Sequence, residues 1–314
     1  MLRISTISFP GLGIGEFNVN SVAFKIGDLE IAWYALFITL GMICAIAYAT
    51  TQAKKIGISF DEILDFAIFT IPIGIIGARL YYVVSEIEHY KTFKDIINIR
   101  EGGLAIYGGI IAGGLTVLVV SIIKKINFLA LADCVAPGIL LAQGIGRWGN
   151  FMNGEAFGYE TDWFCRMGLN NVLTAGKTVY VHPTFLYESL WNLLGVLVVY
   201  LFGRYIGKKY HGQQFLMIFG WYGCGRMFIE GLRADSLYIG NTDIRASQLL
   251  AIIIFTICAA LLIFFMIKKP THPVLVDPIK PREVKETSDP IDRFFKELIE
   301  KIKSKFNSNN KNEK

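Results

Sequence analysis

The chain has 314 residues, of which 53% are hydrophobic and 18% charged, and its formal net charge is +5. The apolar residues are gathered into long uncharged runs, which excludes an ordinary pair of soluble domains. The positive balance reads as anchoring beside those runs and as a basic tail; no nucleic-acid motif accompanies it, so no nucleic-acid partner is expected.

The first thirty residues lack a basic start followed by an apolar run and a small-residue cleavage site, so a cleaved signal peptide is not expected. Residues 31 to 49, 104 to 123 and 247 to 267 hold no charged residue, and each run is long enough to cross roughly 30 Å of hydrocarbon as a helix. The runs 63 to 84, 129 to 146, 184 to 202 and 214 to 232 are also apolar but carry isolated charges or many glycines. The expected fold is therefore an all-α integral membrane protein of about seven transmembrane helices. Lys54 and Lys55, Lys124 and Lys125, Arg204, Lys208 and Lys209, and Lys268 and Lys269 stand at alternate ends of these spans. Basic residues are retained on the cytoplasmic side, so the N-terminus is expected outside and the C-terminus inside. Residues 147 to 183 then face outward.

Residues 1 to 267 form the expected membrane domain. Residues 268 to 314 hold five of the nine prolines and are densely charged, a composition that cannot bury a core. A mostly disordered cytoplasmic tail is expected there, with one amphipathic helix near 291 to 306, where Ile291, Phe294, Phe295, Leu298, Ile299 and Ile302 recur at helical spacing. Of the five cysteines, Cys44, Cys134, Cys224 and Cys258 fall in spans and Cys165 stands alone in an outer loop. Neither a disulfide framework nor metal spacing results.

Gly109 and Gly113 form a GxxxG pair suited to close helix packing. Gly102 and Gly103 stand at the outer mouth of the third span, where a permissive backbone can turn sharply or approach a ligand.

An intramembrane charge costs about 2.5 to 3.5 kcal/mol on insertion scales and is a functional candidate by default. Tyr222, Arg226, Glu230 and Arg233 follow at intervals of four, four and three, so they share one helix face. A self-neutralising Arg226–Glu230 pair would explain two of the four; all four together point to function. The second concentration is the run GRWGNFMNGEAFG from Gly146 to Gly158, with Arg147, Asn150, Asn153 and Glu155. Gly144, Gly146 and Gly149 satisfy GxGxxG, but the context is a membrane helix with no preceding strand, and a dinucleotide site is rejected. An irregular glycine-bearing backbone at the membrane boundary is tolerated where it lines a cavity. Arg147 and Arg226, whose guanidiniums match phosphate oxygens, are the expected phosphate ligands. Tyr34, Arg79, Tyr107, His182 and Glu188 gather at the same depth, although aromatic belts and snorkelling account for any one of them. Asp65 and Asp133 lie nearer the inner side and read as structural. No Ser-His-Asp set and no metal-ligand set is present, so no metal or cofactor is expected.

These residues resemble the prolipoprotein diacylglyceryl transferase family. The thirteen residues from Gly146 to Gly158 satisfy the family signature throughout, and similarity extends over AWYAL around Tyr34, ARLYYV around Arg79, EGGLAIYGG from Glu101, HPTFLYES from His182 and GWYGCGRMFIEGLR from Gly220. The resemblance implies a seven-helix fold opening to the outer face of the bacterial cytoplasmic membrane. Its substrates would be phosphatidylglycerol and the signal peptide of a prolipoprotein carrying a lipobox cysteine, with membrane lipids as surroundings. The implied reaction is transfer of the diacylglyceryl group to that thiol, with release of glycerol phosphate and no cofactor. Arg147, Arg226, Glu155, Glu230 and Tyr34 are expected to be catalytic. Arg147, Asn150, Asn153, Gly102, Gly103, Tyr107, Gly158, His182, Tyr222 and Arg79 are expected to bind substrate. One position departs from the best-known members: Tyr107 stands where they carry histidine, and tyrosine, with a reference pKa near ~10, is a poor base. A transporter or channel using the intramembrane charges is the alternative, and a structural membrane protein the third reading.

Overall fold

A computed structural model describes residues 4–87, 90, 92–99, 102–240 and 242–276 of the chain. Its long helices are α1 (Trp33–Ala53), α2 (Phe60–Ser85), α4 (Ile106–Ile123), α5 (Phe128–Asn153), α6 (Thr184–Tyr205), α7 (Gln213–Leu232) and α8 (Ala246–Ile267); α3 (Phe93–Ile97) and α9 (Pro273–Val276) are short. Six of the long helices, α1, α2, α4, α5, α6 and α8, are long and apolar enough to cross a membrane. The seventh expected span is α7, which forms as a 20-residue helix and carries Arg226 and Glu230 toward its C-terminal end. The fold is mostly helical and multi-pass, as the composition requires.

Local signals set the helix starts. Ser59 and Glu62 close a reciprocal capping box at α2, and the Asn127 side chain accepts from the Leu129 and Ala130 amides at α5; such caps satisfy amides that have no partner within the helix. Helix α5 runs through the middle, packed against α1, α6 and α7, while α7 packs on α8 and α2 on α4. The α2–α4 contact is made by glycines: a Cβ on Gly77 would strike Ala112 and the Gly108 carbonyl. Gly109 and Gly113 take ordinary contact with Gly74 and Thr70, so the tightest point of that interface is Gly77 against Gly108. Small residues bring membrane helices together in this way.

Helices α6 and α7 are clasped by two tryptophans. Trp191 and Trp221 stack with ring centroids 4.6 Å apart. Each indole Nε1 donates to the other's carbonyl, at 2.9 and 2.8 Å. Gly195 and Gly225 make room, since a Cβ at either would collide with the opposite indole.

The strands were not expected. β1 (Ile4–Phe9), β2 (Ile14–Asn20), β5 (Met167–Asn170) and β6 (Val179–Val181) form an antiparallel sheet in the order β2-β1-β5-β6. β3 (Val22–Ile26) and β4 (Leu29–Ala32) form a separate hairpin leading directly into α1. The sheet buries Ile7, Phe9, Val19, Met167, Leu169 and Val181 with Phe185 of α6, and Phe151 and Met152 of α5 pack against them. It therefore covers the end of the bundle at which α5 finishes and α6 begins.

At the opposite end, Asp133 of α5 is buried and accepts from the Gly212 and Phe215 amides, both at 2.9 Å, and from Lys208 at 3.3 Å. Asp65 pairs with Lys124 at 2.6 Å. Both aspartates thus tie helices together. Of the expected tail, α9 docks here: Asn127 donates to the Val274 carbonyl and the His211 amide to that of Leu275, each at 2.8 Å. The amphipathic helix expected near 291 to 306 lies outside the described residues.

Candidate active site

The signature folds as the last two turns of α5 followed by a reversal. Gly154 takes a left-handed φ of 61° at the C-terminal cap and Ala156 one of 55°. For alanine that conformation costs roughly 1–2 kcal/mol, and strain of this kind persists where the surroundings enforce it. Here the buried Thr184 hydroxyl donates to the Ala156 carbonyl at 2.5 Å. The reversal is then stitched to two other elements: the Gly158 amide donates to the His182 carbonyl at 2.9 Å and the Tyr159 amide to the Leu232 carbonyl at 2.8 Å. A side chain at Gly158 would meet the His182 Cβ and the Leu232 carbonyl, both at 2.7 Å, so only glycine fits where α6, α7 and the signature meet.

Inside this frame the charges converge. Glu188 of α6 is buried and receives Arg147 from α5 and Arg226 from α7, the latter at 2.5 Å. Arg226 also pairs with buried Glu230 at 2.5 Å, one turn along α7. Arg233 lies 3.6 Å from Glu188 and 4.0 Å from Glu230, and on its outer side meets the half-exposed Asp235 at 2.8 Å. A second network adjoins: the Arg147 guanidinium donates to the Asn150 Oδ1 at 3.4 Å, while Asn150 and Asn153 donate to Glu155 at 3.3 and 2.9 Å. The Arg245 Nη1 donates to the Glu230 carbonyl at 2.6 Å, which fixes α8 to the end of α7.

The other expected site residues are distributed around this core. Tyr34 packs on α5 at Gly149, beside Asn150. His182 faces Tyr187 across 3.3 Å, and the same hydroxyl lies 3.2 Å from the Cys165 Sγ; burial lowers the His182 pKa below its ordinary value. Tyr107 meets Ser247 of α8 at 3.3 Å. Gly102 and Gly103 adopt φ of 94° and 76°, and Arg79 donates to both of their carbonyls. Tyr222 packs against the apolar cluster of Ala136, Leu140, Val199 and Ile218, so it shares a face with Arg226 in sequence but is seated in the core.

Two residues stand in the centre that spacing alone underrated, Glu188 and Arg233. Glu188 had a signal of its own as a carboxylate inside an apolar span, and Arg233 was the fourth member of the α7 stripe. Among the described residues no group of three or more His, Cys, Asp or Glu could hold a metal ion.

Comparison with known proteins gives the same direction. The family model of prolipoprotein diacylglyceryl transferase matches residues 21–264. A phosphatidylglycerol–prolipoprotein diacylglyceryl transferase of Clostridium perfringens is 43% identical over 264 residues, covering 82% of this chain and 100% of the relative. The like-named protein of Listeria welshimeri is 42% identical over 265 residues, covering 82% and 94%, and that of Clostridium kluyveri is 43% identical over 240 residues, covering 75% and 92%. With the match reaching into every long helix and taking in the whole charge cluster, the chain belongs to the prolipoprotein diacylglyceryl transferase family.

Proposed function

We propose that this transferase moves the diacylglyceryl group of phosphatidylglycerol onto the thiol of a lipobox cysteine in a prolipoprotein signal peptide, at the outer face of the bacterial cytoplasmic membrane. The observation that carries the reading is the meeting of Arg147, from the signature, and Arg226, from α7, on the one buried carboxylate of Glu188. Two guanidiniums held at a fixed separation in a partly dry site suit a phosphate, whose charge grows as it leaves. The thiolate sulfur attacks the glycerol carbon that bears phosphate; the C–S bond forms, the C–O bond breaks, and glycerol phosphate departs with the electron pair. Cationic surroundings favour the thiolate over the thiol, whose reference pKa is near ~8.5. Glu155, Glu230, His182 and Tyr34 are the groups available to accept or relay the thiol proton. Asn150, Asn153, Tyr107 and Gly158 line or shape the head-group site, Gly102 and Gly103 turn the backbone into α4, and Tyr222 packs in the apolar core.

The reading of the orientation rests on basic residues at the far end. Lys54, Lys55, Lys124, Lys125, Lys208 and Lys209 stand opposite the end where α5 finishes and α7 finishes, and the tendency of such residues to stay inside supports a site on the outer face and seven crossings. Against a transporter, the charges at the far end, Asp65 and Asp133, are committed to Lys124 and to the start of α7. The deciding experiment is thioether formation on a lipoprotein precursor by Arg147→Ala and Arg147→Lys, with membrane insertion verified. Loss in both is expected; full activity of Arg147→Ala would remove the phosphate role.

A further inference from the structure

Arg79 lies toward the outer end of α2 and is buried. Its guanidinium is spent on backbone. Nε donates to the Ile96 carbonyl at 2.8 Å, Nη2 to that of Asp95 at 2.7 Å, and Nη1 to those of Gly102 and Gly103 at 3.0 and 2.9 Å. The Tyr90 ring lies 5.1 Å from it. A planar fork with five N–H groups can serve four carbonyls at once, which the point charge of lysine cannot.

The geometry accounts for the glycine pair. Both carbonyls turn toward Arg79 while Gly102 and Gly103 hold left-handed φ values, a conformation that glycine adopts at no steric cost. A Cβ on Gly103 would strike the Arg79 Nη1 and the Tyr82 ring. The Ala105 amide then donates to the Ala78 carbonyl at 3.0 Å, and α4 begins at the next residue. Tyr107, on the first turn of α4, reaches Ser247 of α8. On either side of Ser247, Arg245 and Gln248 hold the Glu230 and Met227 carbonyls of α7 at 2.6 and 2.9 Å. A continuous set of contacts thus runs from Arg79 through the glycine turn and α8 to the helix that bears Arg226 and Glu230.

We propose that Arg79 is a positioning residue of the transferase reaction: its guanidinium gathers the Asp95, Ile96, Gly102 and Gly103 carbonyls and so fixes the glycine turn and the start of α4 against α8. The proposal rests on the reading of the site given above, and it assigns Arg79 to the backbone rather than to the lipid phosphate.

The test uses the full chain reconstituted in vesicles containing phosphatidylglycerol, with Arg79→Gln, Arg79→Lys and Gly103→Ala. Misplacement of this kind costs on the order of 100-fold in turnover, so kcat is expected to fall by about that factor in Arg79→Gln and Gly103→Ala, with KM for phosphatidylglycerol unchanged and partial recovery in Arg79→Lys. Backbone amide exchange should rise over residues 102 to 107 and stay unchanged over 147 to 158. A raised KM with kcat retained would make Arg79 a lipid ligand and overturn the proposal, as would unaltered kinetics or unaltered exchange in all three. Should Arg79→Gln not fold, Gly103→Ala and Arg79→Lys decide alone. A parent chain that forms no thioether would defeat the transferase reading instead, and the exchange data would still decide whether Arg79 holds the turn.

Discussion

Glu188 of α6 holds Arg226 of α7 at 2.5 Å, across a helix interface rather than along one helix. Because Arg226 also pairs with Glu230 on its own helix, the local pair and the inter-helix pair share one guanidinium. The consequence is a single charge cluster drawing on α5, α6 and α7. Replacing Glu188 by Gln leaves largely covered guanidiniums short of a counter-charge, and breaking a fully buried pair costs about 3–5 kcal/mol, an upper bound here. Glu188→Gln is expected to insert, to unfold at lower temperature, and to lose most thioether formation, whereas Glu188→Asp should keep part of it. Parallel melting and turnover measurements check both.

The Trp191–Trp221 clasp sets the separation at which those charges meet. A methyl at Gly225 would collide with the Trp191 indole, and overpacking costs typically about 1–3 kcal/mol. Gly225→Ala should lower the melting temperature in detergent and reduce kcat although it touches no substrate group. An unchanged melting curve would mean that the clasp yields freely.

Tyr107 offers a cleaner case. Its hydroxyl meets that of Ser247 at 3.3 Å, and one such hydrogen bond is worth about 1 kcal/mol, roughly fivefold in rate. Tyr107→Phe should therefore lose no more than about that factor in kcat/KM. Abolished turnover with normal insertion would assign the phenol a proton-transfer role.

Burial holds His182 below its ordinary value, so the unfolded chain binds more protons than the folded one between the lowered folded value and about 6.5. In that window stability rises with pH, and the contribution is complete above it. His182→Gln should flatten the acid-side dependence of the melting temperature below about pH 6.5 and leave the alkaline side unchanged. A parallel slope in both proteins would refute the assignment.

The spans were legible because charge is absent from them: residues 31 to 49 announced α1 (Trp33–Ala53) with no help from context. The signature and the α7 stripe were legible too, since Arg147, Asn150, Glu155, Arg226 and Glu230 sit where an apolar helix tolerates them only for a reason. What could not be read was the partner of each. Glu188 reaches Arg147 from 41 positions away in the chain, and no periodicity encodes such a meeting. The strands were hidden by brevity and a missing period: ISTISF is six residues long with apolar residues at 4, 7 and 9 rather than at every second position, and one of its neighbours in the sheet, Met167–Asn170, is shorter still. Arg79 read as a snorkelling or ligand arginine because its carbonyl partners belong to backbone, which the sequence does not display.

The Asn171 side chain donates both to the Ser5 hydroxyl, 166 residues earlier, and to the Gly154 carbonyl where the signature leaves α5. The first strand therefore has only β2 beside it while the ribosome is still making α1 to α5, and its other edge must wait for residues 167 to 171. Closing so long a loop is slow compared with local helix formation. The rim of the site is thus expected to be among the last parts assembled, so that a newly inserted bundle acquires its finished signature bend only after β1 has docked.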